Sequence, residues 1–153
     1  MNSIAVLQLL LQRAEADRDT AQAVLRQAEA QVQSARQKAA QLFGYRDEFR
    51  QRWNEHFRSS GTTTLLHCRQ SYGQRLDTVI SHQETEALHL NNRVDKAKEV
   101  LLAREQRVAG VRKLIERREH ELHRSAERRD QRSTDEAAQR ALAHQVQRNA
   151  LHS

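Results

Sequence analysis

Apolar side chains recur along the chain at alternating steps of three and four residues. From the start they fall at Leu7, Leu11, Ala14, Ala21, Leu25, Ala28, Val32, Ala35, Ala39, Leu42, Phe49 and Trp53. The same frame requires seam residues at 18 and 46, which are Arg18 and Arg46, so twelve of fourteen positions obey a strict heptad. A frame sustained over about seven heptads predicts a coiled-coil helix from about residue 3 to 58. The pattern breaks at Ser59-Ser60-Gly61-Thr62-Thr63-Thr64, the one cluster of small polar residues containing a glycine, and this predicts a turn over about 59–64. Beyond it the spacing resumes at Leu76, Val79, Ala87, Leu90, Val94, Ala97, Leu101, Val108, Val111, Ile115 and Leu122, with Gln83, Arg104 and Arg118 at polar seam positions. The two successive steps of four from Val79 through Gln83 to Ala87 read as a stutter, which locally unwinds a supercoil.

Two helices joined by a short turn run antiparallel. The expected architecture is therefore all-α, a long antiparallel two-helix coiled-coil hairpin forming a single domain over 1–153. Its first helix, of about 55 residues, would be on the order of 80 Å long. The second helix, expected over about 65–146, is longer, so residues beyond about 122 form an overhanging C-terminal tail. That tail keeps a helical composition, but its stripe is mostly alanine, and it is expected to fray when free. The first seam is alanine-rich while the second carries mainly Leu, Val and Ile. Small against large lets the helices approach closely and favours this intrachain pairing.

Composition agrees with a rod rather than a ball. The 153 residues are 37% hydrophobic, 4% aromatic and 30% charged, with 4 Gly and no Pro. A proline-free chain rich in Ala, Gln, Arg, Glu and Leu is biased toward long helices. The formal net charge is +6, which points to nucleic acid, an anionic surface or acidic protein partners. Both signs interleave, as in Arg13, Glu15, Asp17, Arg18 and Asp19, and this is the pattern of a solvated coiled-coil face. Cys68 is the only cysteine, which excludes an internal disulfide and suits a reducing compartment. The apolar start is interrupted by Gln8, lacks a basic lead, and is too short to span a bilayer. The expected location is cytoplasmic.

Candidate chemistry is sparse. The sequence has no glycine-rich phosphate loop, no nucleophile elbow and no metal-spaced cysteine pair, and a two-helix hairpin encloses no pocket. His120 and His123, three apart with Glu119 nearby, supply two ligands where zinc needs a third and usually a fourth. His67 and Cys68 are adjacent and point to different helix faces. No catalytic, cofactor-binding or metal-binding residue is assigned, and the chain is not expected to be an enzyme. The basic segment around Arg112, Lys113, Arg117 and Arg118, followed by Arg124, Arg128, Arg129 and Arg132, is interrupted by Glu116, Glu119, Glu121, Glu127 and Asp130. No aromatic follows Tyr72, so stacking on nucleic acid is unsupported there. All six aromatics (Phe43, Tyr45, Phe49, Trp53, Phe57 and Tyr72) lie near the turn. Phe49 and Trp53 fit the seam. Phe43 and Tyr45 fall outside the frame, where an exposed aromatic marks a binding surface.

The stretch Leu42-Phe43-Gly44-Tyr45-Arg46-Asp47-Glu48-Phe49-Arg50, followed after the break by Tyr72-Gly73-Gln74-Arg75-Leu76-Asp77-Thr78-Val79-Ile80, resembles the FliJ family of flagellar export proteins. The tail block from Glu127 to Arg140 is similar to that family's C-terminal signature. The resemblance implies a non-catalytic stalk, an antiparallel coiled coil like the gamma stalk of rotary ATP synthases. Such a stalk inserts in the hexameric flagellar export ATPase and promotes its assembly. It also contacts the cytoplasmic domain of the membrane export-gate protein and binds escort chaperones for late export substrates. By matching position, the gate-docking residues would be Leu42, Tyr45, Phe49, Tyr72, Leu76, Val79 and Gln83. Lys38 stands where the family often has Gln, and Gln83 where it often has His. No cofactor and no nucleic acid is expected, and membrane association would be peripheral, through partners. The same architecture fits the equivalent stalk of an injectisome secretion ATPase, and a basic coiled-coil scaffold or nucleic-acid-associated protein is a third reading.

Overall fold

A computed structural model describes residues 3–59 and 62–152; within the predicted turn, Ser60 and Gly61 lie outside the described residues. Helix α1 spans Ser3–Ser59 and helix α2 spans Thr63–Leu151, and no strand occurs among the described residues. The fold is the all-α two-helix hairpin that the heptads predict. With no proline and few glycines, nothing in either helix interrupts the backbone ladder. Helix α2 begins at its threonine cluster, where the Thr62 carbonyl accepts the first helical bond from Leu66 N–H at 3.1 Å. That places Thr62 at the N-cap, a position threonine favours. At the far end Arg148 occupies the last turn, where a cation complements the helix dipole.

By compactness the chain divides into Ala16–Glu105 and a unit made of Met1–Glu15 with Gln106–Ser153. Within Ala16–Glu105 the helices run antiparallel: Tyr72 meets Phe49, whereas Gln83, further along α2, meets Ala35, further back in α1. The buried α1 residues are Ala21, Ala28 and Ala35, one per heptad; from α2 come Leu76, Ile80, Val94 and Ala97. Alanine thus fills the tightest α1 positions and larger aliphatic residues fill most of those on α2. Arg18, at a polar seam position, keeps its side chain 25% exposed and turns its guanidinium to Asp19 at 3.1 Å. Its stem covers apolar surface while its head reaches water.

In the second unit, Ala14 and Val108 are each only 2% exposed. Arg112 pairs with Glu15 at 3.2 Å, and Arg118 Nε–H donates to Ser3 Oγ at 2.8 Å. These pairs repeat the antiparallel sense. Ile115 is the last half-buried residue of α2, and all described residues from Glu116 to His152 are exposed.

The register of α2 after the turn differs from the sequence expectation. Ile80, not Val79, takes the seam: Ile80 is 6% exposed and Val79 48%. The steps through Leu76, Ile80, Gln83 and Ala87 are then four, three and four, so the heptad runs on without a stutter. The physical reason is phase. Counted back from Val108 through Arg104, Leu101, Ala97, Val94 and Leu90, the frame lands on Ile80, and two adjacent β-branched residues cannot both face the partner. The seam also ends earlier than expected, since Leu122 is 46% exposed.

A candidate docking surface near the turn

Phe49 organises the aromatic segment. One heptad frame brings Phe49 and Trp53 along the seam side of α1, four residues apart and therefore on one face. Their rings stand 5.8 Å apart at 70°, an edge-to-face contact. Across the seam Tyr72 lies 4.5 Å from Phe49, tilted by 46°. Such pairs contribute about 0.5–1.5 kcal/mol each beyond their buried area. Tyr45, Phe49, Trp53 and Tyr72 border an open groove of about 620 Å3, flanked by Arg52 and Arg75.

The seven expected docking residues divide by burial. Tyr45 and Tyr72 are 58% and 52% exposed, and both border the groove. Val79 is outward one heptad beyond Tyr72, on the same face of α2. Leu42 and Phe49 are half-buried in the frame. Leu76 is 9% exposed and packs in the seam. Gln83 is half-buried and its side-chain amide donates to the Ala35 carbonyl at 3.4 Å, which satisfies a polar group at a seam position. The structure therefore brings Tyr45, Phe49 and Tyr72 to one groove, and commits Leu76 and Gln83 to holding the helices together.

Two features escaped the sequence reading. Trp53 borders the groove as well as fitting the frame, and Arg52 and Arg75 flank it. Arg46, a seam position by the frame, lies over the Phe43 ring with its guanidinium carbon 4.8 Å from the centroid. The three-residue spacing of Phe43 and Arg46 was a legible signal for that cation–π contact. Gly44 and Gly73 are conformationally ordinary here, since no described residue has a positive φ. A Cβ on Gly73 would meet Phe49 Cε1 at 3.9 Å, an ordinary contact.

The other candidates assemble nothing. His123 pairs with Glu127 at 3.1 Å on the exposed part of α2. No group of three or more His, Cys, Asp or Glu among the described residues is placed to hold a metal ion. Cys68 is exposed.

A family profile for the flagellar FliJ protein matches residues 3–147, spanning most of both helices. The chain belongs to the FliJ family. No curated protein and no solved structure matches it. Membership of the FliJ family makes this a flagellar export-associated protein, in a family that is a non-catalytic component of export. Among the described residues no helix is long and apolar enough to cross a membrane.

Proposed function

We propose that this FliJ-family chain is the central stalk of the flagellar export ATPase, and so serves motility without catalysing a reaction. It inserts in the ATPase hexamer, promotes ring assembly and activity, and joins the ring to the cytoplasmic domain of the membrane export-gate protein. It also binds escort chaperones of late export substrates. It acts in the cytoplasm, peripherally at the cytoplasmic face of the inner membrane, and takes no cofactor. The observation that carries this reading is the family match over 3–147, which spans most of both helices. The long exposed stretch of α2 beyond Glu116 supports it, since a helix uncovered among the described residues has surface to offer a ring.

The gate-docking surface is built on Leu42, Tyr45, Phe49, Tyr72, Leu76, Val79 and Gln83. Tyr45, Tyr72 and Val79 make the contact, and the more buried residues hold them in position. Large, rigid aromatics are the side chains that dominate interface energies.

The deciding experiment titrates the cognate export ATPase with this protein, following hydrolysis rate and counting rings by negative stain. Stimulation with more rings is the expected result. No change in either overturns the stalk reading. For the gate, Tyr45→Ala and Tyr72→Ala should each weaken binding to the gate's cytoplasmic domain about tenfold, as truncated interface aromatics do, with unchanged far-ultraviolet circular dichroism. Equal binding by both variants would remove these residues from the docking surface.

A further inference from the structure

A second recess, of about 490 Å3, borders Phe49 together with residues absent from the aromatic groove. Arg46, Arg50 and Arg69 line it with the amides of Gln70 and Gln74, and Asp77 is the one carboxylate at its edge. Among the described residues Arg18, Arg112, Arg118 and Arg140 each meet a carboxylate at 3.1–3.7 Å. Arg46 and Arg50 do not. Arg46 Nε is buried and meets no hydrogen-bond partner among the described residues, where the Phe43 ring is the contact its guanidinium makes. Arg50 is exposed and makes no ion pair among the described residues. An unsatisfied donor in a half-buried guanidinium is unfavourable until an acceptor arrives.

We propose that this recess binds a carboxylate side chain of an acidic protein segment, with Arg46 and Arg50 as its donors. A guanidinium offers a planar fork that matches a carboxylate, and Phe49 and Leu66 give the acidic side chain's methylene stem an apolar floor. The local charge selects the ligand. Asp47, Glu48, Glu55 and Asp77 lie among the arginines of this segment, which penalises a continuous polyanion such as nucleic acid or a charged lipid surface. A single carboxylate meets the cation excess of the recess without crossing those acids. Because Phe49 borders both recess and groove, the proposal rests on the docking reading for which protein binds, but not for the chemistry of the contact.

The test uses the full chain and a fluorescein-labelled twelve-residue peptide alternating Glu with Leu, followed by anisotropy. Its counterpart with Gln for Glu, and a single-stranded oligonucleotide, are run beside it. Saturable binding of the Glu peptide is expected, with the Gln peptide at least about tenfold weaker. Arg50→Gln should weaken the Glu peptide about tenfold, the size expected for one charged hydrogen-bonded contact. Arg50 is exposed, so this variant keeps the fold, and circular dichroism checks it. Arg128→Gln, on the exposed part of α2, should change nothing. Equal binding of the Glu and Gln peptides, an unaffected Arg50→Gln variant, or tighter binding of the oligonucleotide would each overturn the proposal. Failure of the peptide with retained binding of the gate domain would sink this contact and leave the docking surface standing. Loss of gate binding alone would do the reverse.

Discussion

The stretch Ala16–Glu105 and the exposed part of α2 beyond Glu116 are both helical, yet only the first has a seam. In the first, the heptad frame lands on Ala21, Ala28, Ala35, Ile80, Val94 and Ala97, all buried. Carried on past Ile115, the same frame meets Arg118, Leu122, Ser125, Arg129, Arg132 and Glu136, all exposed. Helix propensity is similar in the two regions, since both are rich in Ala, Gln, Arg and Glu. The difference is apolar side chains at every third and fourth place. Propensity draws a helix in both regions, but packing of an apolar face is what holds one cooperatively.

The largest expected effect lies in amide hydrogen exchange. Amides of Ala16–Glu105 should be protected by opening free energies approaching that of global unfolding, while those beyond Glu116 open locally. Exchange in the second region should be faster by on the order of a hundredfold or more. Equal protection would mean that the exposed stretch is covered in solution, and the comparison would fail.

Next in size is a pair of substitutions at adjacent residues. Ile80→Asp places a charge in the seam and should destabilise the hairpin by about 3 kcal/mol or more. Val79→Asp places it on the surface and should cost less than about 1 kcal/mol. Chemical denaturation followed by circular dichroism reads both. The reverse order would restore Val79 to the seam and the stutter with it. Overpacking should also act differently on the two regions. Ala28→Leu should cost about 1–3 kcal/mol because the seam there admits only a methyl group, whereas Ala138→Leu on an open face should be close to neutral. A large loss at Ala138 would reveal a neighbour that the exposure does not show.

Most of the fold was legible because a heptad is periodic and errors in it are visible. All fourteen frame positions of α1, Arg18 and Arg46 included, are buried or half-buried. The misreading at Val79 arose where the frame restarts after the turn and two β-branched residues stand side by side. Extrapolation forward from Leu76 cannot choose between them, while extrapolation back from the long regular run can. The extent of the seam was less legible. Leu122 has the right residue type and spacing, but seam burial also needs a facing residue, and at 46% exposure Leu122 has none close enough to cover it among the described residues. Of the proposed docking surface, the exposed aromatics were legible from Tyr45 falling outside the frame. The arginines of the recess were not, because Arg46 looks like a polar interruption and Arg50 like any solvated charge. That Arg46 and Arg50 meet no carboxylate among the described residues is a property of three-dimensional placement.

The smallest predicted effect concerns what holds the exposed helix at all. Glu136 and Arg140 are four residues apart and 3.7 Å from each other, with side chains 66% and 77% exposed. The acid precedes the base, the orientation that also suits the helix dipole. Screened by water, such a pair contributes only about 0.2–0.5 kcal/mol to the helix. Glu136→Gln should therefore leave the denaturation midpoint of the whole hairpin unchanged. Hydrogen exchange in the flanking turns should quicken by less than about threefold, and added salt should erase the difference between variant and parent. An effect confined to those turns is what a helix without a seam predicts, because nothing couples its local opening to the packed region. A shift of the global midpoint would show that the two regions unfold together, and that α2 beyond Glu116 draws stability from contacts rather than from its own sequence.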